Sequence, residues 1–202
     1  MGKALEITER QQDIVDAARK IVGSQGMRRL TVREIAKRLN ITNGALYRHF
    51  KSKKEILSLL IDDIEQTLLK AIEVAAEKET DALLKLKSVL LSHISYAEQR
   101  KGLTFVVINE TLSFNDVELR KKMYLVVEAY LKKIQEILTT GIKEKAFKED
   151  LDLKLASLAF FGLVQSTVTF WALSGYSFSI DEHKITGLFN VYKDGVVVAR
   201  GQ

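Results

Sequence analysis

The chain has 202 residues and a hydrophobic content of 47%, and its 31 Lys and Arg against 26 Asp and Glu give a net charge of +5. Because it contains no cysteine, a disulfide framework and a thiolate metal site are excluded, and because it contains no proline, long uninterrupted helices are favoured. The charged residues 1–12 lack the apolar core of a signal peptide. The sequence also has no run of about 18 uncharged apolar residues, which a membrane-spanning helix would need. We therefore expect a cytoplasmic protein.

Hydrophobic periodicity and cap residues predict an all-α fold of about nine helices. In chain order they cover approximately residues 8–24, 31–39, 43–50, 52–77, 81–99, 103–112, 116–145, 152–173 and 181–194. The last residues, 195–202, fit either an extension of the ninth helix or a short extended segment. The fourth helix is too long for a small module alone, so it should link an N-terminal domain, residues 1–54, to a second domain, residues 55–202, as one rigid rod.

The second and third helices have the layout of a helix-turn-helix. Thr31 and Glu34 form a capping box that starts the first helix of the pair. Asn40 ends it, because Asn tolerates the left-handed conformation that a helix stop needs, and Ile41 fills the turn. Thr42 is an N-cap for the next helix, which in a helix-turn-helix enters the major groove of DNA with its N-terminal residues at base edges.

Charge supports a DNA-binding role for this segment. Residues 1–54 contain 13 Lys and Arg against 5 Asp and Glu, a net charge of +8, so the remaining 148 residues carry −3. A basic face neutralises DNA phosphates and releases counterions, which supplies most of the affinity that does not depend on sequence. The basic excess therefore lies entirely on the segment that holds the motif.

Three runs of residues in this segment carry a family resemblance. IVDAARKIV, TVREIAKRL and GALYRHFKSKKEIL lie in that order within residues 10–61, which resemble the DNA-binding domain of the tetracycline-repressor (TetR) family of bacterial regulators. The rest of the chain agrees with the family in length and helical character. The resemblance implies a regulator of the bacterial or archaeal cytosol, associated with the nucleoid, that acts as a repressor. It also implies binding of a near-palindromic operator in double-stranded DNA as a homodimer.

The resemblance implies specific DNA contacts at the start of the third helix. Thr42 resembles a residue that contacts phosphate or base edges, and Asn43 resembles a base-reading residue whose amide can bind adenine through two hydrogen bonds. Gly44 and Ala45 resemble small residues that allow close approach. Arg48 either reads a guanine or holds a phosphate, and the sequence leaves both open.

Further predicted contacts surround that helix. Tyr47 and His49 resemble phosphate clamps, and Arg33 resembles a residue of the preceding helix that reaches DNA. Lys53 resembles the family's lysine at the N-terminus of the fourth helix, where its charge adds to the backbone N–H groups. The predicted DNA-binding set is Thr31, Arg33, Thr42, Asn43, Gly44, Ala45, Tyr47, Arg48, His49 and Lys53.

The eighth helix is apolar around its whole circumference, which predicts burial on every side. One face would meet its own domain and another a second subunit, and the alternative is the core of a monomer. The resemblance implies a dimer through a bundle of the eighth and ninth helices of two subunits. We expect this interface at Leu158, Phe161, Gln165, Val168, Trp171, Leu188, Phe189 and Tyr192.

The region between the fourth and eighth helices is where a TetR-like regulator holds a small-molecule effector. Apolar and polar residues are interleaved there as in ligand pockets, and they favour an apolar or amphipathic ligand. The alternative is that they fill the core. The candidate ligand-binding residues are Phe105, Ile108, Asn109, Leu112, Met123, Tyr124, Gln165 and Thr169.

An enzymatic function is not predicted. The three histidines, His49, His93 and His183, lack metal-ligand spacing, and the chain has no phosphate-binding glycine loop or nucleophile elbow, so we expect neither a metal nor a cofactor. The alternative to a ligand-responsive regulator is a TetR-like scaffold of the nucleoid-occlusion type, which stays on DNA and acts through a protein partner. A large enclosed cavity would favour the ligand sensor, and a filled core would favour the scaffold.

Overall fold

The computed structural model describes residues 8–25, 29–48, 50 and 52–198. Within these ranges it contains nine α-helices, and the predicted all-α fold is confirmed. They are α1 (Glu9–Gln25), α2 (Val32–Arg38), α3 (Asn43–Tyr47), α4 (Lys53–Glu77), α5 (Ala82–Gln99), α6 (Leu103–Ser113), α7 (Val117–Lys143), α8 (Leu153–Leu173) and α9 (Glu182–Val196). The predicted bounds differ from these by no more than a few residues, which is within the usual fraying of helix ends.

Polar side chains fix where most of these helices begin. At seven N-caps, a side-chain oxygen accepts a hydrogen bond from a backbone N–H in the first turn, as N-cap residues do. These residues are Thr31, Thr42, Ser52, Asp81, Asp116, Asp152 and Asp181. Helix α6 differs, because it follows Gly102, which has a φ of +69° and no side chain to cap the helix. A Cβ at Gly102 would lie 3.3 Å from Cγ1 of Val168, so this turn also requires a small residue.

Helix α4 is the central element of the fold. It contacts α1 near its start and α5, α6 and α7 along its length. Its inward stripe matches the predicted periodicity, because Ile56, Leu60, Ile64, Leu68 and Ile72 are all buried. One continuous hydrophobic cluster extends from α1 through α4 to α9, so the N-terminal helices and the larger helical bundle share a core. The division at residues 54 and 55 remains a prediction.

A buried ion pair fixes α1 against α4. The Asp63 side chain on α4 is almost wholly buried, with 1% of the residue exposed. Arg19 on α1 donates from Nε to Asp63 Oδ2 at 3.1 Å and makes a second contact from Nη2 to Oδ1. Its Nη1 donates to Asp16 at 2.9 Å. Since an unpaired buried carboxylate costs several kcal/mol, the position of Arg19 ties the two helices together.

Within the protomer helix α8 is buried on one face only, and burial of its other face by a second subunit stays a prediction. Its buried residues are Ala156, Ser157, Phe160, Val164, Val168 and Trp171, which face the bundle. The opposite face exposes large apolar side chains, among them Leu155, Leu158, Phe170 and Leu173. By length and composition alone α8 could cross a bilayer, a test that core helices of globular proteins also pass.

The end of α9 resolves the alternatives predicted for the C-terminal tail. The helix continues to Val196, and Val197 then forms an antiparallel bridge with Phe147. Lys148 N donates to Val196 O at 3.0 Å in the same pairing. Both alternatives therefore occur in succession up to Val198, and residues 199–202 lie outside the described residues.

Candidate nucleic-acid interface and regulatory domain

The turn between α2 and α3 has the predicted geometry. Thr31 Oγ1 accepts from the backbone N–H of Glu34 at 3.1 Å. Asn40 has a φ of +53°, and Ile41 N donates to Ala36 O at 3.0 Å, which is the hydrogen bond of a Schellman helix stop. Ile41 packs against the core from within the turn. The angle between the two helices is therefore fixed by backbone hydrogen bonds and by an apolar side chain.

Helix α3 is anchored on one side and open on the other. Thr42 Oγ1 accepts from Ala45 N at 3.1 Å, and Leu46 is buried against the core. Asn43 and Gly44 are exposed, and a Cβ at Gly44 would meet no atom within 4 Å. The N-terminal end of α3 is thus free to approach another molecule closely, as a major-groove helix must.

The other predicted contacts are placed as follows. Thr31, Arg33, Thr42 and Arg48 are exposed, and Ala45 is partly buried. His49 and the side chain of Tyr47 lie outside the described residues, so their predicted roles as phosphate clamps remain predictions.

The predicted role of Lys53 as a DNA contact suggests a free cation, but in the structure Lys53 is paired. Its Nζ forms an ion pair with Glu110 on α6, and the neighbouring Lys54 pairs with Asp116, the N-cap of α7, at 2.6 Å. The hydrogen bond from Lys54 is the main cause that lowers the pKa of the partly buried Asp116 carboxyl. The beginning of α4 is therefore joined to α6 and to the start of α7 through both lysines.

A third lysine repeats this connection one turn further along. Lys122 Nζ on α7 donates to Asp62 Oδ2 at 2.7 Å, to Ser58 Oγ at 2.6 Å and to Ser58 O at 3.1 Å. All three acceptors lie on α4. A displacement of α6 or α7 would therefore act directly on the first three turns of α4, beside the helix-turn-helix.

The centre of the larger bundle is packed around a buried histidine. His93 on α5 has 1% of its surface exposed, and its Nδ1 lies 3.1 Å from the Tyr130 hydroxyl on α7. The Tyr130 ring makes an edge contact with Phe161 on α8, with the ring centroids 5.4 Å apart. Burial lowers the pKa of His93 from its usual 6.5 to about 3 and raises that of Tyr130, so both are neutral at pH 7.

The predicted ligand residues do not converge on one enclosed site. Met123 is buried, whereas Leu112 and Tyr124 are 62% and 63% exposed and face away from the core. Asn109 is exposed and donates to the backbone O of Phe105. The remaining candidates are partly buried: Phe105, Ile108, Gln165 and Thr169. Composition could not tell which face of α6 or α7 is turned inward.

The predicted dimer residues divide in a similar way. Val168 and Trp171 on α8 and Phe189 and Tyr192 on α9 are buried within the protomer, so these four are removed from the expected interface. Trp171 Nε1 donates to Phe178 O at 2.8 Å, which holds it inside. Phe161, Gln165 and Leu188 are partly buried, and only Leu158 is exposed. The sequence did not indicate which face of α8 is turned inward, because a helix that is apolar all round gives no periodic signal.

The exposed face of α8 and α9 has a composition of its own. On α8 it runs through small residues between large apolar ones, and on α9 it contains further glycines. Its members, called here the α8–α9 face, are Leu155, Leu158, Ala159, Gly162, Ser166, Phe170, Leu173, Gly187, Val191 and Gly195. A Cβ at any of the three glycines would meet no atom within 4 Å. Nothing around these positions in the described protomer requires glycine, although each one weakens its helix.

Two family descriptions match the chain. "Bacterial regulatory proteins, tetR family" matches residues 14–60, and "YsiA-like protein, C-terminal region" matches residues 54–189, about two thirds of the chain. The chain belongs to the TetR family. This TetR-family regulator therefore combines a helix-turn-helix DNA-binding domain with a helical ligand-binding domain, and the two matches overlap in α4.

The chain is similar in sequence to named bacterial proteins and in fold to solved structures. The fatty acid metabolism regulator protein of Bacillus subtilis (strain 168) is 30% identical over 167 residues, 83% of this chain and 86% of that protein. The structure of FadR from Bacillus subtilis in complex with stearoyl-CoA matches with a TM-score of 0.76 at 28% identity, covering 94% of this chain and 99% of that one. The nucleoid occlusion factor SlmA of Haemophilus ducreyi is 35% identical over 118 residues, 58% of each protein.

Two of these relatives are named as regulators and the third as a nucleoid occlusion factor. In the part of the TetR-family chain that the structure describes, no group of three or more His, Cys, Asp or Glu side chains could hold a metal ion.

The buried His93 predicts a specific sensitivity to acid. Below pH 6.5 the unfolded chain binds a proton that folded His93 does not take up until about pH 3, so the free energy of unfolding falls as the pH falls through this window. At pH 5 the loss is about 2 kcal/mol relative to pH 7.5. Urea unfolding at the two pH values should show that His93→Gln removes this part of the dependence. His183→Gln, at an exposed histidine, is the control, and equal pH dependence in the wild type and His93→Gln would contradict the assignment.

Proposed function

We propose that this protein is a repressor that binds a near-palindromic operator as a homodimer and is released from it by a long-chain acyl-CoA. The exposed N-terminal end of α3, held on an anchored helix-turn-helix, carries the DNA-binding part of this proposal. The similarity to a fatty acid metabolism regulator over 83% of the chain, and to the structure of FadR from Bacillus subtilis in complex with stearoyl-CoA, supports the choice of ligand.

The proposed DNA contacts divide by chemistry. Asn43 reads a base edge, Gly44 and Ala45 allow α3 to sit deep in the groove, and Thr42 reaches phosphate or a base edge. The cations Arg33 and Arg48, with Lys53, hold the phosphate backbone and set the affinity that all sequences share. Thr31, Tyr47 and His49 complete the proposed set. Contact of Lys53 with phosphate requires that its ion pair with Glu110 open.

Asn43→Ala should change the base preference at one position of each operator half-site, with a loss of about 1–3 kcal/mol for the preferred base. Selection of bound DNA from a random pool measures this, and it also tests palindromy and a half-site spacing of about 34–36 Å. Lys53→Ala is the comparison, because it should weaken all sequences alike and flatten the dependence on salt. An equal loss on every sequence from Asn43→Ala would refute its role.

The proposed dimer forms through the α8–α9 face. This face presents a row of large apolar side chains interrupted by Ala159, Gly162 and Ser166, which would let a second helix approach closely. A contiguous exposed apolar surface of this kind marks an interaction site. Because a glycine inside a helix costs about 1 kcal/mol relative to alanine, three of them on one exposed face favour a partner backbone packed against it.

Gly162→Gln tests this interface without harming the protomer, since the new side chain meets open space and has the better helix propensity. We expect dimer dissociation to increase by about tenfold or more, because overpacking an interface costs about 1–3 kcal/mol. Sedimentation over a dilution series measures it. Glu65→Gln places the same side chain at an exposed position of α4 and should leave the dimer unchanged. An unaltered dimer in Gly162→Gln would exclude this face.

The acyl-CoA proposal requires a difference in affinity between two states. A ligand releases DNA only if it binds the state that cannot fit the operator more tightly than the state that can. Helices α6 and α7 hold the beginning of α4 through Lys53, Lys54 and Lys122, so a ligand that shifts these helices would move α4 and the reading helix with it. The two reading helices of a dimer would then lose their register on the operator.

Stearoyl-CoA should lower the affinity for the selected operator, and stearate and free coenzyme A are the matched controls for its two halves. Fluorescence anisotropy of labelled operator measures the release. Stearoyl-CoA that binds the protein and leaves operator affinity unchanged would refute the switch, and a protein that does not bind it at all would refute the choice of ligand.

A second candidate, a DNA-bound scaffold that acts through a protein partner, is favoured by one observation. The middle of the bundle is filled, with Tyr130 and Phe160 among its fully buried side chains. The SlmA proteins, named as nucleoid occlusion factors, match over 58% of the chain in the Haemophilus ducreyi protein. The SlmA protein of Vibrio atlanticus (strain LGP32) matches over 177 residues at 25% identity, whereas the fatty acid metabolism regulator matches over 167 residues at 30% identity. We rank the ligand-responsive regulator first because of this higher identity over most of the chain.

A further inference from the structure

A basic cleft lies between the helix-turn-helix and the ligand-binding helices. It has a volume of about 590 Å³ and is bounded by α1, the end of α2 and the turn between α5 and α6. Five cationic side chains line it, and these define what is called here the interdomain cleft: Arg19, Lys20, Arg38, Arg100 and Lys101. The DNA contacts proposed above do not include any of these residues.

Most of this charge has no carboxylate partner. Asp16 is the one acidic residue among the lining residues, and it pairs with Arg19, which also holds the buried Asp63. Among the described residues, Lys20 and Arg38 take part in no ion pair. Four like charges thus face one cleft, an arrangement that repels itself and that an anion would stabilise.

Arg100 adds a guanidinium of fixed orientation to the cleft. Its guanidinium stacks on the Tyr96 ring, with Cζ 3.9 Å from the ring centroid. Its Nε is buried and has no hydrogen-bond partner among the described residues. The stack on Tyr96 orients the guanidinium, and arginine with its flat fork of donors is well suited to bind phosphate oxygens.

The walls of the cleft are rigid. Lys101 and Gly102 both have positive φ, +50° and +69°, and the turn is held by Lys101 N donating to Glu98 O and Gly102 N donating to Ala97 O. Helix α1 packs closely against this turn, because a Cβ at Gly23 would lie 3.3 Å from Lys101 Cβ. The cations therefore project from helices and a fixed turn, so little ordering is needed when an anion binds.

We propose that the interdomain cleft binds the phosphate groups of the coenzyme A nucleotide, an inference that rests on the proposed response to acyl-CoA. The nucleotide carries a phosphate monoester and a diphosphate, which match several cations grouped in one cleft. The volume also lies within the range of about 300–1,000 Å³ that is usual for ligand sites.

This location would give the ligand direct influence on DNA binding. Lys20 and Arg38 belong to helices of the DNA-binding domain, whereas Arg100 and Lys101 belong to the turn between α5 and α6 of the ligand-binding domain. A polyanion between them favours one relative position of the two domains. Arg38 ends α2, the helix just before the reading helix, so the cleft lies one short turn away from the groove-binding element.

The test compares two double variants of the full-length protein. Lys20→Gln with Arg38→Gln removes two charges from the cleft, and Lys37→Gln with Lys143→Gln removes two charges from exposed positions outside it. Isothermal titration calorimetry should show that the cleft variant binds stearoyl-CoA about tenfold or more weakly than the wild type. Its affinity for stearate, which has no phosphate, should be unchanged, and the control variant should bind both ligands like the wild type.

A nucleotide without an acyl chain separates this inference from the function on which it rests. Adenosine 3′,5′-bisphosphate should bind the wild type and compete with stearoyl-CoA, and the cleft variant should lose this competition. If stearoyl-CoA releases operator and binds both double variants equally, the cleft inference is overturned and the proposed function stands. If the cleft variant loses operator affinity alone, the cleft holds DNA backbone and the inference is again overturned. If the wild type binds no stearoyl-CoA, both fail.

Discussion

The buried carboxylate of Asp63 is the constraint on which the arrangement of the two domains depends. It lies on the central helix α4, almost wholly shielded from solvent, and Arg19 of α1 is its charged partner. Because removal of either partner would leave a buried charge, α1 must lie where Arg19 can reach α4. The helix-turn-helix packs on α1, so this contact helps to set its position relative to the bundle.

Around this fixed point, the start of α4 is held by contacts that can exchange partners. Lys53, Lys54 and Lys122 connect it to α6 and α7 through partly exposed ion pairs, and such pairs are individually weak. Lys53 is also a proposed phosphate contact, so DNA and Glu110 would compete for the same cation. In the proposed switch, the buried pair at Asp63 would keep α4 against α1 while the weaker pairs near Lys53 exchange partners.

The helices could be predicted well from the sequence because single cap residues determine where many of them begin and end. Thr31, Ser52 and Asp116 each cap a helix at the predicted position, and Asn40 stops one with the predicted left-handed conformation. The reading helix was also predicted, since its motif is contiguous. These features depend on neighbours within four residues, which a sequence displays directly.

Faces and long-range partners could not be predicted in the same way. Helix α8 has apolar residues at every angle, so Val168 and Trp171 were assigned to the dimer although they face the core. The His93–Tyr130 contact joins residues 37 apart, and the Arg19–Asp63 pair joins residues 44 apart. The interdomain cleft was missed for this reason, although the run Arg100, Lys101 and Gly102 at a helix start was a usable signal.

The glycines of the α8–α9 face have a consequence for the amount of functional protein in a cell. For a dimer that joins there, each isolated protomer carries three weakened helical positions that only the partner compensates. Folding and association are then linked by mass action, so the folded fraction rises with total concentration. At low copy number, newly made chains would be more exposed to proteases than chains already paired. The protein would therefore be degraded faster when its concentration is low than when it is high. Operator occupancy would then rise more steeply with the rate of protein synthesis.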